Sequence, residues 1–148
     1  MSRFWKRVIV GWLLVMGLWS GAAQMWERNM GTAGECMVGY VYDGDTVELE
    51  CGGRDQTARL VGFDTPETKD PGCEAERALG EKAKKRLREI IANSDVSYRR
   101  LGHDKYGRKL IRLTADGVDV GDTLIGEELA VAYTGGSRIN WCVKLGAQ

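Results

Sequence analysis

Cys36-Met37-Val38-Gly39-Tyr40-Val41-Tyr42-Asp43-Gly44-Asp45-Thr46-Val47-Glu48-Leu49-Glu50-Cys51 is the stretch on which the reading of this chain turns. Two β-rich runs flank Asp43-Gly44, and an Asp-Gly pair so placed is the strongest short-range signal for a hairpin. With those two residues as the turn, Tyr42 faces Asp45, and the same register sets Cys36 across from Cys51 at the open end. Val47, Leu49 and Cys51 alternate with Thr46, Glu48 and Glu50, the period-two pattern of a half-buried strand. Asp45 falls on the apolar register. A carboxylate at the rim of a core face is costly unless compensated, as a metal ion would do; an exposed turn acid is the plainer alternative.

Beyond the hairpin, Thr57 to Phe63 reads as a third strand that stops at Asp64-Thr65-Pro66-Glu67, where proline cannot continue a ladder. A loop through Asp70-Pro71-Gly72 leads into the clearest helix, Glu74 to Ala92, with Ala75, Leu79, Ala83, Leu87 and Ile90/Ile91 on one stripe. Glu74 and Glu76 open it, and Lys84, Lys85, Arg86 and Arg88 crowd its later half, as the helix dipole favours; this basic face reads as solvated. Val96 to Leu101 and Arg108 to Thr114 follow as strands joined through Asp104-Lys105-Tyr106-Gly107, and Asp119 caps a short helix from Val120 to Leu129. The expectation is a mainly β chain with helices (α+β): a five-stranded OB-fold barrel with a helix between strands 3 and 4 and a second short helix. That order suits a barrel better than a parallel α/β sheet.

The chain has 148 residues, enough for one core. Arg3, Lys6 and Arg7 precede an apolar run from Val8 to Trp19 and then Ser20-Gly21-Ala22-Ala23, the layout of a secretory leader. The run is shorter than the ~20 residues a spanning helix needs. The expected organisation is a signal peptide over 1–23, a flexible lead-in over 24–34, a folded domain over 35–133 and a tail over 134–148. Export to the periplasm or the exterior follows, with an uncleaved anchor at residues 8–19 as the alternative.

The whole chain carries 21 basic and 21 acidic residues; without the leader's three basic residues, 18 face 21, a net charge of −3. Sequence-independent nucleic-acid binders are usually basic overall, so any such activity here would need its positive charge gathered at a site. The four cysteines, Cys36, Cys51, Cys73 and Cys142, form an even set in an exported chain and read as disulfides. Three pairings are open. The hairpin register favours Cys36 with Cys51, which leaves Cys73 for Cys142. Zinc is disfavoured, because no Cys-x-x-Cys pair exists and the single histidine, His103, reads as an ordinary loop residue.

Three clusters remain: Asp43-Gly44-Asp45-Thr46, Arg59-Leu60-Val61-Gly62-Phe63-Asp64-Thr65-Pro66-Glu67, and Asp104-Lys105-Tyr106-Gly107-Arg108. Together, in this order, they resemble the thermonuclease (staphylococcal nuclease-like) family from about Val38 to Tyr133. The resemblance implies an OB barrel and a calcium ion held by Asp45, Asp64 and the carbonyl of Thr65, a set of hard oxygen donors. It implies that Arg59 and Arg108 grip the scissile phosphate through planar forks that lysine could not copy, while Glu67 acts on the attacking water. Lys105, Tyr106 and Tyr133 match positions that contact a terminal phosphate and the nucleoside, and Asp43 would be an acid beside the metal rather than a ligand. The implied activity is metal-dependent endonucleolytic hydrolysis of DNA and RNA to 3′-phosphate ends by a monomer with no obligate protein partner.

The chain departs from the pattern in its acidic mature part, in the loop after Glu67 that carries Cys73, and in the 15 residues left after Tyr133. Two other readings are a non-catalytic nucleic-acid-binding OB module and a disulfide-stapled envelope domain without a ligand. The first usually lacks the acids or arginines; the second does not explain why they cluster.

Overall fold

The computed structural model describes residues 36–147, so the expected leader and lead-in, residues 1–34, lie outside the described residues. The hairpin is present as β1 (Met37–Asp43) and β2 (Thr46–Glu50), but its turn is Gly44-Asp45 rather than Asp43-Gly44, with Asp43 opposite Thr46. Two register shifts along β1 then bring the pairing to Met37 opposite Glu50, which carries Cys36 to Cys51. The open end therefore has the expected register even though the turn does not. Bulges of this kind re-aim a strand, and beside one of these shifts the Val41 carbonyl accepts from Arg88 Nη2 at 3.3 Å.

The expected third strand is two strands. β3 (Gln56–Leu60) pairs with β2, whereas β4 (Gly62–Asp64) leaves that sheet and pairs with β8 (Val131–Tyr133). Gly62 takes φ +101°, a conformation open to glycine and strained for other residues, and there the chain turns from one sheet to the other. Next come helix α1 (Glu74–Asn93), then β5 (Val96–His103) and β6 (Lys109–Ala115). β7 (Val118–Asp119) pairs with β6 across a tight turn, Asp116 at φ 50° and Gly117 at φ 82°. His103 ends β5 instead of lying in a loop. Helix α2 spans Val120–Gly126, shorter than expected, with Glu128 at φ 60° just beyond it; the Asp119 side chain caps it by accepting from the Gly121 N–H at 2.7 Å. The tail holds one further turn of helix, α3 (Trp141–Lys144).

The larger sheet runs β1-β2-β3-β6-β5, with β7 on β6, and its β3–β6 pairing is parallel. This corrects the barrel expectation: the sheet is open, mixed and partly parallel, and no sheet among the described residues closes on itself. Among the described residues no backbone ladder joins its two end strands; the Tyr98 hydroxyl on β5 donates to the Cys36 carbonyl beside β1 at 3.1 Å. Strand number and alternation are local properties. Closure requires edge-to-edge backbone pairing, which they do not encode.

Leu60, Ile111 and Leu87 are fully buried and Leu49 nearly so, which packs the inner face of the sheet against α1. Each such side chain contributes about 1.5–3 kcal/mol on burial. Disulfides Cys36–Cys51 and Cys73–Cys142 close the hairpin and tie the start of α1 to the tail. No described helix is long and apolar enough to cross a membrane.

Candidate active site

Asp45 sits in the β1–β2 turn, and the β2–β3 ladder places Thr46 opposite Arg59, so the turn acid and the arginine arrive together. Asp64 ends β4. Asp45 and Asp64 are only 2% and 1% exposed, an arrangement that would be prohibitive for isolated carboxylates. Arg59 compensates both, donating from Nη1 to Asp45 Oδ1 at 2.8 Å and from Nη2 to Asp64 Oδ1 at 3.2 Å. Thr46 Oγ1 donates to Asp45 Oδ1 at 3.0 Å, the Thr65 N–H to Asp45 Oδ2 at 3.3 Å, and Trp141 Nε1 to Asp64 Oδ2 at 3.1 Å. Burial lifts the Asp45 carboxyl above the usual carboxylate range; Arg59 pulls it back and neighbouring Asp43 adds to the rise. Asp43 accepts from the Asp45 N–H at 3.2 Å and so lies beside this pair.

The chain then carries Thr65, Pro66 and Glu67 across the start of α1. Glu76, a buried acid on that helix, accepts from the Glu67 N–H at 3.2 Å and from the Gly72 N–H at 2.8 Å, which fixes the backbone of the loop. The Glu67 carboxylate is paired with Arg138 from the tail. The same guanidinium meets Asp64 Oδ1 at 2.5 Å and donates to the Thr65 carbonyl at 2.9 Å. Half-burial alone would lower the Arg138 pKa, but the bonds to Glu67 and Asp64 outweigh it and raise it.

Arg108 is not in this acid cluster. Its Nε donates to Asp104 Oδ2 at 2.6 Å, and the pair closes the β5–β6 loop. Against the opposing effect of its own desolvation, Arg108 holds the Asp104 carboxyl below its usual range. Arg108 nevertheless joins Arg59 in lining a cleft of about 500 Å³, together with Lys105, Tyr106 and Tyr133. The parallel β3–β6 register is responsible, because it sets Arg59 opposite Leu110, two residues from Arg108. Tyr106 is 73% exposed and lies beside Lys105 and Arg108, while Tyr133 donates its hydroxyl to the Gly136 carbonyl at 2.6 Å.

The structure thus gathers Asp43, Asp45, Arg59, Asp64, Thr65 and Glu67 at one place and sets Arg108, Lys105, Tyr106 and Tyr133 around the adjoining cleft. Sequence reasoning missed Arg138, Trp141 and Glu76. The tail was read only as a tethered segment, and its sole signal was Arg138 lying close to Trp141-Cys142. Cys73, Glu76 and Cys142 also cluster, but both sulfurs are consumed in the disulfide and neither is a thiolate ligand.

The family described as Staphylococcal nuclease homologue matches residues 57–140, a span that contains Arg59, Asp64, Thr65, Glu67, Arg108 and Arg138 but not Asp43, Asp45, Thr46 or Trp141. The chain is 41% identical over 98 residues to Endonuclease YncB of Bacillus subtilis (strain 168), covering 62% of this chain and 44% of the relative. It is 35% identical over 96 residues to a Thermonuclease of Staphylococcus intermedius, covering 64% of this chain and 54% of the relative. The SPbeta prophage-derived endonuclease YokF of Bacillus subtilis (strain 168) is 41% identical over 98 residues, 62% of this chain but 32% of its own length. The chain therefore spans about a third to a half of the length of these curated relatives.

Proposed function

The chain belongs to the staphylococcal nuclease homologue family, and from that premise we propose that it is an exported, calcium-dependent endonuclease that hydrolyses phosphodiester bonds in DNA and RNA to 3′-phosphate ends. One observation carries the reading: two buried carboxylates from distant stretches, Asp45 and Asp64, converge on one arginine that also lines a basic, aromatic cleft. The donor set suits calcium, since Asp45, Asp64 and the Thr65 carbonyl offer only hard oxygens and no thiolate or imidazole accompanies them. When bound there, calcium supplies Lewis-acid stabilisation of the phosphoryl oxygens.

The remaining work belongs to the chain. Arg59 on β3 and Arg108 at the end of the loop entering β6 donate charge-assisted bonds to the phosphate. Neither terminal nitrogen of Arg108 has a hydrogen-bond partner among the described residues, so its fork remains available to a phosphate while Asp104 holds its Nε. Glu67, about one-third exposed, takes a proton from water or orients it, a role worth typically ~100- to 10,000-fold. Tyr106, Tyr133 and Lys105 stack on bases and hold a terminal phosphate, contacts indifferent to sequence at about 1–3 kcal/mol per stacked base. Because the mature part is acidic overall, binding relies on this local concentration of positive charge and is therefore modest in strength and sensitive to salt.

The test is cleavage of single-stranded DNA and RNA by purified oxidised protein, with calcium and with a chelator. The expected result is cutting only with calcium and 3′-phosphate ends; equal cutting under both conditions, or 5′-phosphate ends, refutes the reading.

A further inference from the structure

Arg138 reaches the acid cluster from the far end of the chain, 71 residues beyond Glu67, and touches three of its groups with one guanidinium. Two of those contacts are made to the oxygens the proposed calcium site requires, Asp64 Oδ1 and the carbonyl of Thr65. The third is the carboxylate of Glu67. The tail that carries it is held twice close by: the Cys73–Cys142 disulfide fixes it to the start of α1, and buried Trp141 donates to the other oxygen of Asp64. A side chain so tethered acts at a high effective concentration, so it is a persistent competitor for those oxygens.

We propose that Arg138 sets the strength of divalent-ion binding at this site, as a disulfide-held internal cation that shares its ligands and restrains Glu67. The inference rests on the calcium-site reading above and assigns that site its regulation. Arg138 must yield Asp64 Oδ1 and the Thr65 carbonyl for an ion to take both, since two cations compete for the same donors and repel one another. Glu67 loses its partner in the same movement, so ion binding and release of the carboxylate that handles water are coupled. Arg59 does not play this part: among the described residues its guanidinium bonds to Asp45 and Asp64, with no hydrogen bond to the Thr65 carbonyl or to Glu67.

The experiment is calorimetric titration of calcium chloride into the full oxidised chain, its R138M and R138K variants and the C73S/C142S double variant. Thermal unfolding is followed on each in calcium and in chelator. R138M is expected to bind calcium roughly tenfold more tightly than the wild type and to gain more in Tm from it. R138K, which keeps the charge but cannot span three acceptors, should fall between, and C73S/C142S should shift the same way as R138M. Calcium binding by R138M or R138K that is equal to or weaker than wild type overturns the proposal. R138K keeps the test open if R138M does not fold. A wild type that binds calcium with an unchanged R138M sinks this inference alone, whereas no binding by either chain sinks the calcium site beneath it.

Discussion

Gly80→Ala should destabilise this protein, although the same change in most helices does the reverse. Gly80 lies inside α1, where alanine is favoured over glycine by about 1 kcal/mol. Here an added Cβ would stand 2.8 Å from the Pro66 carbonyl oxygen, 3.0 Å from that of Glu67 and 3.0 Å from Thr68 Cγ2. Backbone oxygens cannot swing aside. The helix and loop cannot part freely either, because Glu76 on the same helix accepts from the Glu67 N–H at 3.2 Å. Overpacking costs about 1–3 kcal/mol, and stretching a bond to a charged acceptor costs a comparable amount. After the helix gain is subtracted, the net loss is about 3 kcal/mol, or a fall in Tm of roughly 12 °C. Urea unfolding followed by circular dichroism should show a lower midpoint at constant m. The variant should also cut more slowly, since the displaced backbone carries Glu67. An unchanged or higher midpoint would refute the claim that α1 rests directly on the 66–67 backbone.

Arg59→Ala leaves buried Asp45 without its arginine, while Asp64 keeps Arg138, and should cost about 3–5 kcal/mol in chelator; urea melts should recover part of that loss in calcium, and cleavage should fall by about 100-fold or more. Leu87→Ala empties a fully buried site in the core and should lower stability by about 2–5 kcal/mol in the same assay, with residual activity proportional to the folded fraction. Arg86→Ala removes a bidentate pair with Glu127 that is more than one-third exposed; melts should register less than about 1 kcal/mol, and cleavage should not change. Cys36→Ser with Cys51→Ser opens a short loop at the mouth of the hairpin and should cost about 2–3 kcal/mol in chemical denaturation.

The acidic and basic clusters were visible in the sequence, whereas the architecture around them was not. Asp45 lies in one short cluster and Arg59, Asp64 and Glu67 in another; each cluster alone is a weak signal, and it was the family resemblance that joined them into one site. The barrel could not be read correctly. Five alternating stretches look the same whether the outer pair joins or stays apart, and Gly62, which splits the third stretch between two sheets, is one glycine among 20. The hairpin turn shows the same limit on a smaller scale: Asp43-Gly44 and Gly44-Asp45 are both acceptable turns, and packing of Gly44 against Thr65 and Ala83 accompanies the second.

From its residues alone this chain already determined its period-two strands, its amphipathic helix, clusters of acids and arginines at strand ends and turns, and cysteines able to meet across a hairpin. These are properties of neighbours in the chain, where spacing and chemistry suffice. Only the folded structure decided that the sheet stays open, that Arg108 leans on Asp104, and that Arg138 and Trp141 enter the acid cluster from the tail. The Arg138 and Trp141 contacts join segments tens of residues apart, while the Arg108–Asp104 pair spans four residues and depends on how the β5–β6 loop turns. Their energies depend on which surfaces meet once the core has formed, and no local pattern records that meeting.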